Sequence, residues 1–304
     1  MLYIEFPLGK FFKKISTEKQ ARDLVWQTRF PDGGPKCTKC NSDSFFELKT
    51  RPEVRECKSC GCQIRLRAGT IFQDSKTPML IWVRAIYLMM QGKRGISALE
   101  LQRQLDIKRY EVAWGILFKV RTALCQRDDK YQIQGVIEFD GTGFGKRENY
   151  NQRVVLIGVE TRTWFDEKGR LKSKAGFAKI LVGREDFETA QKLIDKGIKS
   201  GSILRSDGAA VYAADLKNVV TVRKKMLGDQ KLLDEWQPWV HKFISNAKSW
   251  VLGTHHGVSG DYLELYLGEY TYRFNRRHDV KRLFHRALYA CCQASPVSLP
   301  ASTG

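Results

Sequence analysis

The spacing of apolar positions changes along the chain and divides it into a helical front part and an α/β rear part. Residues 17–29 place three apolar side chains on one helical face behind a capping-box pattern from Thr17 to Gln20, which predicts a short helix. Residues 78–124 repeat a helical period. From residue 136 onward the apolar residues form short β-branched runs, which predict strands.

The helical segment ends in two helices joined by the short link "DIK". In the second helix Val112, Ile116 and Val120 recur at every fourth residue, so they predict its buried face. The pair is typical of a helix-turn-helix, although an ordinary helical hairpin has the same pattern. Four basic residues are expected to face solvent: Lys108, Arg109, Lys119 and Arg121. The basic second helix favours DNA binding, with Lys108, Arg109 and Lys119 as candidate contacts.

The rear part predicts a mixed α/β sheet. Strands are expected in four segments, "VIEFD", "RVVLIGVE", "FAKILVG" and "SILRSDG", with the helix "EDFETAQKLIDKGIK" before the fourth and a further strand in "VVTVRKK". Two helices follow, in "WVHKFISNAKSW" and "DYLELYLGEYTYRFNRR". The second has a basic end that is a further candidate for DNA contact: Arg273, Arg276 and Arg277.

Five of the eight cysteines lie between residues 37 and 62. The pairs "CTKC" at 37–40 and "CKSC" at 57–60 are separated by 16 residues, which is zinc-ribbon spacing. We predict that Cys37, Cys40, Cys57 and Cys60 bind a structural Zn²⁺. Cys62 is left over, either as an alternative ligand or as a small buried residue. This clustering favours metal binding in a reducing cytoplasm over disulfides.

Composition points to a polyanionic partner. The 304 residues include 52 Lys plus Arg against 33 Asp plus Glu, a net charge of +19, which favours nucleic acid. No run of about 18 apolar residues exists, and the N-terminus resembles neither a membrane span nor a signal peptide. The predicted domains are 1–76 (helix and ribbon), 77–130 (helix-turn-helix-like), 131–290 (α/β) and 291–304 (disordered tail).

Two aspartates and one helix carry candidate chemistry. Asp140 and Asp207 each follow an apolar run and precede a glycine, so each is expected at the rim of the sheet, where an Asp-Gly turn is the simpler alternative. His241 and Lys248 are seven residues apart, which places them on one helix face. Such a face is more often merely solvated. Together, however, these residues favour a metal-dependent phosphoryl-transfer site.

The order of motifs resembles the ISXO-type insertion-sequence transposases of bacteria. The resemblance runs from about residue 17 to 288, and its most specific parts are "GTHHGVS" with "YRFNRR" and the ribbon followed by "GTIF". It implies an RNase H-like catalytic domain of the DDE superfamily, preceded by the zinc ribbon and the helix-turn-helix-like domain.

The resemblance also implies roles for single residues. Asp140 would bridge two Mg²⁺ or Mn²⁺ ions and Asp207 would bind one. His241 stands where most members have Glu and would complete the coordination of the second ion. Lys248 would contact a DNA phosphate. Asn246 is a rival third ligand. His255 and His256 belong to the family pattern without an assigned chemical role, and one of them capping a turn is the simpler interpretation.

By the same resemblance, the chain would bind the terminal inverted repeats of its element, cleave DNA at the 3′ ends and join those ends to double-stranded target DNA. A homodimer or higher homo-oligomer, cytoplasmic and associated with the bacterial nucleoid, is expected. Two other functions stay open: a domesticated, catalytically inactive DNA-binding regulator, and an RNase H-like nuclease or resolvase.

Overall fold

A computed structural model describes residues 7–145, 152–207, 216–224 and 235–300. The described residues form two compact units, one from 1–127 together with 279–304 and the other from 128–278.

The first unit begins with helices α1 (Leu8–Lys14) and α2 (Glu18–Arg29). The predicted capping box is present, because the Thr17 hydroxyl accepts the Gln20 N–H and the Gln20 side chain accepts the Thr17 N–H. A three-stranded antiparallel sheet follows: β1 (Phe45–Glu47), β2 (Val54–Cys57) and β3 (Gln63–Arg65). The Arg29 guanidinium fastens α2 to this sheet through the carbonyls of Arg65 and Leu66.

The rest of the first unit is helical: α3 (Met79–Gln91), α4 (Ala98–Gln104) and α5 (Tyr110–Asp128). After residue 278 the chain returns to this unit in helix α9 (Leu283–Gln293), where Phe284 packs against Phe11 and Tyr87. The predicted disordered tail, 291–304, is corrected where it begins, since Cys291 and Cys292 are buried residues of α9, while residues 301–304 lie outside the described residues. The predicted domain boundary at 290 likewise falls inside this helix. The apolar face of α9 explains the difference, because it packs against α2 and α3.

The second unit contains a five-stranded mixed sheet. Its strands are β4 (Val136–Phe144), β5 (Arg153–Phe165), β6 (Leu171–Gly183), β7 (Ser202–Ser206) and β8 (Val219–Arg223), in the order β6-β5-β4-β7-β8. The first three strands pair antiparallel, while β4, β7 and β8 run parallel. The fold class predicted from the sequence, an RNase H-like mixed sheet with helices, is confirmed.

Helices cover both faces of this sheet. Helix α6 (Phe187–Gly197) packs over Ile137, Phe139 and Leu156. Helices α7 (Pro238–His255) and α8 (Leu263–Asn275) pack over Phe144 and Val155 on the other face. Because side chains alternate along a strand, the even-numbered residues of β4 from 138 to 144 face α7 and α8.

Asp140 does not end its strand as predicted. Strand β4 continues to Phe144, and Asp140 pairs with Ile157 in the middle of the ladder with β5. Gly141 and Gly143 are strand residues, because the long partner β5 supplies hydrogen bonds beyond the apolar run. Asp207 does follow its strand directly, as predicted.

Candidate active site and zinc site

The four predicted zinc ligands meet in the first unit. The Sγ atoms of Cys37, Cys40, Cys57 and Cys60 all lie within 4.8 Å of one another. The pairs Cys37–Cys60 and Cys40–Cys57 are each 3.5 Å apart, and tetrahedral Zn–S bonds of about 2.3 Å would place sulfurs about 3.8 Å apart. The donor set therefore fits Zn²⁺. Backbone N–H groups of Cys40 and Lys39 point at the Cys37 sulfur and lower the pKa of that thiol to about 6, which favours the thiolate that zinc requires.

The two cysteine pairs sit on matching turns. The Asn41 N–H donates to the Cys37 carbonyl and the Gly61 N–H donates to the Cys57 carbonyl. Asn41 and Gly61 both have positive φ, at 58° and 70°. Cys62 occupies the place that Ser42 has in the first turn, since each carbonyl accepts the N–H of the first cysteine of its pair. Cys62 is therefore positioned by its backbone and stands outside the four-sulfur group.

In the second unit the sheet brings the two aspartates together. Glu138 of β4 is level with Arg205 of β7, so two residues farther along these parallel strands Asp140 is level with Asp207. Burial, and next the Asp207 charge, raise the pKa of Asp140 to about 7. Glu185 adds to this rise, whereas the Gly141 N–H and the Lys248 charge oppose it. A pair of crowded carboxylates of this kind suits divalent cations.

His241 and Lys248 lie on the face of α7 that covers β4. His241 Nδ1 is 3.9 Å from the Asp140 carboxylate, and the Lys248 Nζ donates to the Thr142 hydroxyl at 2.8 Å. Among the described residues, only the cysteines form a group of three or more ligand atoms within 4.8 Å. Asp140, Asp207 and His241 therefore do not all approach one another as closely as the four sulfurs do.

The other residues predicted near this helix have different positions. Asn246 is exposed, about 140° around α7 from His241. His256 is the C-cap of α7, in the left-handed conformation at φ 54°, and its N–H donates to the Leu252 carbonyl. His255 packs edge-on against Trp250 and Tyr266. Both histidines therefore belong to the end of the helix, in line with the simpler interpretation.

Three arginines that were candidates for DNA contact are held within the second unit. Arg273 is buried beside Glu269, and Arg276 binds the Asp128 carboxylate at 2.7 Å. Arg277 donates to the backbone carbonyls of Ala175, Gly176 and Phe274. The basic end of α8 is therefore engaged in ion pairs and hydrogen bonds of the fold, while contact of these arginines with DNA stays a prediction. Arg277 is held there because the edge strand β6 offers carbonyl groups that its guanidinium satisfies.

The basic residues of the predicted helix-turn-helix also differ in whether they are exposed or held within the fold. Lys108 and Arg109 are exposed between α4 and α5. Lys119 is half-buried and donates to the Gln73 carbonyl at 3.4 Å, and desolvation lowers its pKa. Arg121 is 1% exposed, so its predicted solvent-facing position is corrected. Helix α5 is buried over most of its length and presents mainly its first turn.

Sequence reasoning missed two buried polar residues that hold the start of α7, Glu138 of β4 and the N-cap residue Gln237. Glu138 accepts the backbone N–H groups of Trp239 and Val240, at 2.6 and 2.9 Å, and the Thr161 hydroxyl at 2.7 Å. Burial raises the pKa of Glu138, and these hydrogen bonds and Arg205 oppose the rise. The Gln237 side chain donates to the carbonyls of Phe139 and Arg205. The alternation of Glu138, Asp140 and Thr142 along "VIEFDGT" was the available signal.

A mixed sheet with one aspartate in a strand and a second directly after the neighbouring parallel strand, combined with a four-cysteine ribbon, is the architecture of RNase H-like DDE transposases. The comparisons with known families agree with this class. Residues 126–275 match the ISXO2-like transposase domain, and residues 16–63 match the transposase zinc-ribbon domain. Both matches are to domains of IS1595-type transposases, and together they cover more than half of the chain. The chain belongs to this family. No curated protein matches the chain.

Membership in this family confirms the resemblance stated above and implies DNA as the partner. The zinc-ribbon match and the four-sulfur group both support structural zinc. Within the described ranges, every helix is too short or too polar to cross a membrane.

Proposed function

We propose that this chain cleaves DNA at the terminal inverted repeats of its element and joins the new ends to target DNA at the nucleoid. The observation that carries the proposal is the convergence of Asp140, Asp207 and His241 from two strands and one helix of an RNase H-like sheet. Because strand joining must act on paired ends, the active form is a homodimer or a higher homo-oligomer.

The proposed chemistry consists of two phosphoryl transfers. In the first, a water oxygen attacks the phosphorus at the element end, and the 3′ oxygen leaves as a free hydroxyl. In the second, that 3′ hydroxyl attacks a target phosphodiester, a new P–O bond forms, and the target's own 3′ oxygen leaves. Neither step needs a covalent bond to the protein or an external energy source.

Asp140, Asp207 and His241 would hold two Mg²⁺ or Mn²⁺ ions, which would supply charge neutralisation at the phosphate and activation of the attacking oxygen. Asp140 would serve both ions, since it lies 3.9 Å from His241 and the Asp207 charge raises its pKa. The exposed Lys248 ammonium, oriented by Thr142, would bind a DNA phosphate beside the scissile bond.

The position of His241 supports it over Asn246 as the third ligand. His241 is a quarter exposed and 3.9 Å from Asp140, whereas Asn246 points to solvent from another side of α7. The site residues are all present, which favours an active enzyme over a domesticated regulator. The zinc ribbon in the same chain favours a transposase over a nuclease or resolvase acting on structured nucleic acid.

The test uses labelled DNA from the genomic flanks of the coding sequence, which contain the element ends, incubated with full-length protein and Mg²⁺ or Mn²⁺. We expect cleaved and joined products from the wild type and from Asn246→Ala. His241→Ala should abolish cleavage yet leave DNA binding within about threefold, about 0.6 kcal/mol. If Asn246→Ala is inactive and His241→Ala cleaves normally, the third ligand is Asn246. Binding without any cleavage by the wild type would indicate a regulator.

A second comparison uses the preference between the two metals. Mn²⁺ accepts imidazole more readily than Mg²⁺, which prefers oxygen ligands. His241→Glu should therefore keep measurable cleavage and shift the preference toward Mg²⁺. An unchanged ratio of Mn²⁺ to Mg²⁺ rates in this variant would argue against direct ligation by residue 241.

A further inference from the structure

The N-terminus of α7 is satisfied by a side chain from a distant strand. The first N–H groups of a helix have no partner within the helix. In α7, Pro238 has no N–H, and His241 donates to the Gln237 carbonyl at 3.4 Å. The two remaining groups, on Trp239 and Val240, both donate to one carboxylate oxygen of Glu138. The Trp239 and Val240 N–H groups are therefore occupied and are not available to a phosphate.

The Glu138 side chain is held in one position by hydrogen bonds. The side chain is fully buried, and its second oxygen accepts the Thr161 hydroxyl of the neighbouring strand β5 at 2.7 Å. A buried carboxylate is costly unless it is hydrogen bonded, so its position is tightly determined by these three donors. The negative charge also complements the positive end of the helix dipole.

Strand β4 and helix α7 run side by side, and the contacting segments of the two elements have nearly equal lengths. From Glu138 to Thr142 a strand rises about 13 Å, and from Val240 to Lys248 a helix rises about 12 Å. Contacts exist at both ends of this span, Glu138 with Val240 and Thr142 with Lys248, and between them Asp140 lies 3.9 Å from His241. A slip of α7 by one residue would turn it by about 100° and carry His241 away from Asp140.

Gln237 ties the same helix end to both aspartate-bearing strands. Its side-chain N–H groups reach the Phe139 carbonyl of β4 and the Arg205 carbonyl of β7, each at 3.0 Å. The start of α7 is thus anchored where β4 and β7 lie side by side, just before Asp140 and Asp207.

We propose that Glu138 is a positioning residue that sets the register of α7 on β4, by capping the helix N-terminus, and so holds His241 beside Asp140 and Lys248 beside Thr142. The part that concerns activity rests on the proposed function, whereas the capping itself does not.

Amide hydrogen exchange of the wild-type protein tests the capping directly. First-turn amides of a helix normally exchange quickly, because nothing within the helix protects them. We expect the amides of Trp239 and Val240 to be protected at least about 100-fold relative to an unstructured chain. Exchange at the unprotected rate would overturn the proposal, whether or not the protein cleaves DNA.

Three variants test the effect on the site. Glu138→Gln keeps an oxygen for both amides and gains an N–H for the Thr161 hydroxyl, so it should keep the protection and cleave within about threefold of wild type. Glu138→Ala should lose the protection and at least about 100-fold in kcat, as expected for a misplacement of about 1 Å, while DNA binding stays within about threefold.

Glu160→Ala is the matched control. Glu160 is also a buried carboxylate of the sheet and also accepts two backbone amides, from Gln134 and Phe177 at 3.0 Å, but its hydrogen bonds do not reach α7. Its loss should leave cleavage by the folded protein within about threefold. Equal losses in Glu138→Ala and Glu160→Ala would reduce Glu138 to a general stabilising residue. A loss in Glu138→Gln as large as in Glu138→Ala would mean that the charge matters rather than the capping.

If Glu138→Ala does not fold, wild-type exchange and Glu138→Gln still decide the question. If the wild type is inactive with DNA, the proposed function fails while the exchange data continue to test the capping.

Discussion

Lys248, in the middle of α7, and Arg276, at the end of α8, are both cations, yet their surroundings differ. Lys248 is exposed and donates to the neutral Thr142 hydroxyl, so its charge is available to a phosphate. The Arg276 side chain is 11% exposed and is bound to Asp128, which is itself largely buried. Breaking such a pair by removing one partner leaves the other charge buried and unpaired.

We therefore expect Arg276→Ala to lower the free energy of unfolding of the second unit by about 2–4 kcal/mol, and Lys248→Ala to change it by less than about 0.5 kcal/mol. Denaturant unfolding, monitored through amide exchange in β5 and β6, measures the change in unfolding free energy for both variants. Equal stability of the two variants would mean that the Arg276–Asp128 pair is not formed in solution.

A second single residue, His285 in α9, makes the stability of the first unit depend on pH. It is 5% exposed, and burial, followed by the nearby Lys14 charge, lowers its pKa below the ordinary value of about 6.5. Below that pH the unfolded state binds the proton more readily than the folded state, so stability is lost as the pH falls through about 6.5.

The melting temperature of the zinc-loaded wild type should thus fall more between pH 7.5 and 5.5 than that of His285→Gln. The variant serves as the control for all other titrating groups. Parallel curves for the two proteins would contradict the assignment.

Among the elements, the ribbon is too small for a hydrophobic core of its own, since its three strands have 10 residues in total. Its stability must come from the metal and from α2, whose Arg29 donates to carbonyls of the ribbon.

Cys37→Ser or Cys57→Ser should release about one Zn²⁺ per chain and speed amide exchange in β2 and β3, while β5 stays unchanged. Cys62→Ser is the control, because it should keep the metal. Elemental analysis of protein purified without chelators measures the zinc, and its absence from the wild type would refute the assignment.

At the scale of the whole molecule, the net charge of +19 should make binding to element-end DNA strongly dependent on salt. Among the candidates in the first unit, Lys108 and Arg109 are exposed, whereas Lys119 donates to the Gln73 carbonyl.

Replacing Lys108 and Arg109 together with Ala should reduce the slope of log affinity against log salt by about 1–2, since each neutralised phosphate contributes about 0.9. Lys119→Ala, as the control, should leave the slope unchanged. Fluorescence anisotropy between 50 and 200 mM salt, about the range where such binding is sensitive, provides the measurement. A flat salt dependence of the wild type would contradict phosphate binding altogether.

Local patterns were sufficient for the features whose chemistry lies close together in sequence. The CxxC pairs, the capping box of Thr17 and the seven-residue spacing of His241 and Lys248 depend on a few neighbouring residues and on fixed helix or turn geometry. The mixed sheet also followed from its β-branched runs, because alternating burial leaves a direct trace in the sequence.

The tertiary structure decided everything that depends on partners distant in sequence. What an arginine at the end of α8 contacts depends on the groups that pack opposite it. Arg273 and Arg276 pair with carboxylates of the second unit, and Arg277 donates to carbonyls of β6. Asp140 became a mid-strand residue because β5 is long enough to pair beyond it. Glu138 caps a helix that begins 100 residues later, and α9 is ordered by helices from the other end of the chain. Such contacts join residues that are far apart in the sequence. They leave no local sequence pattern, because only packing brings the residues together.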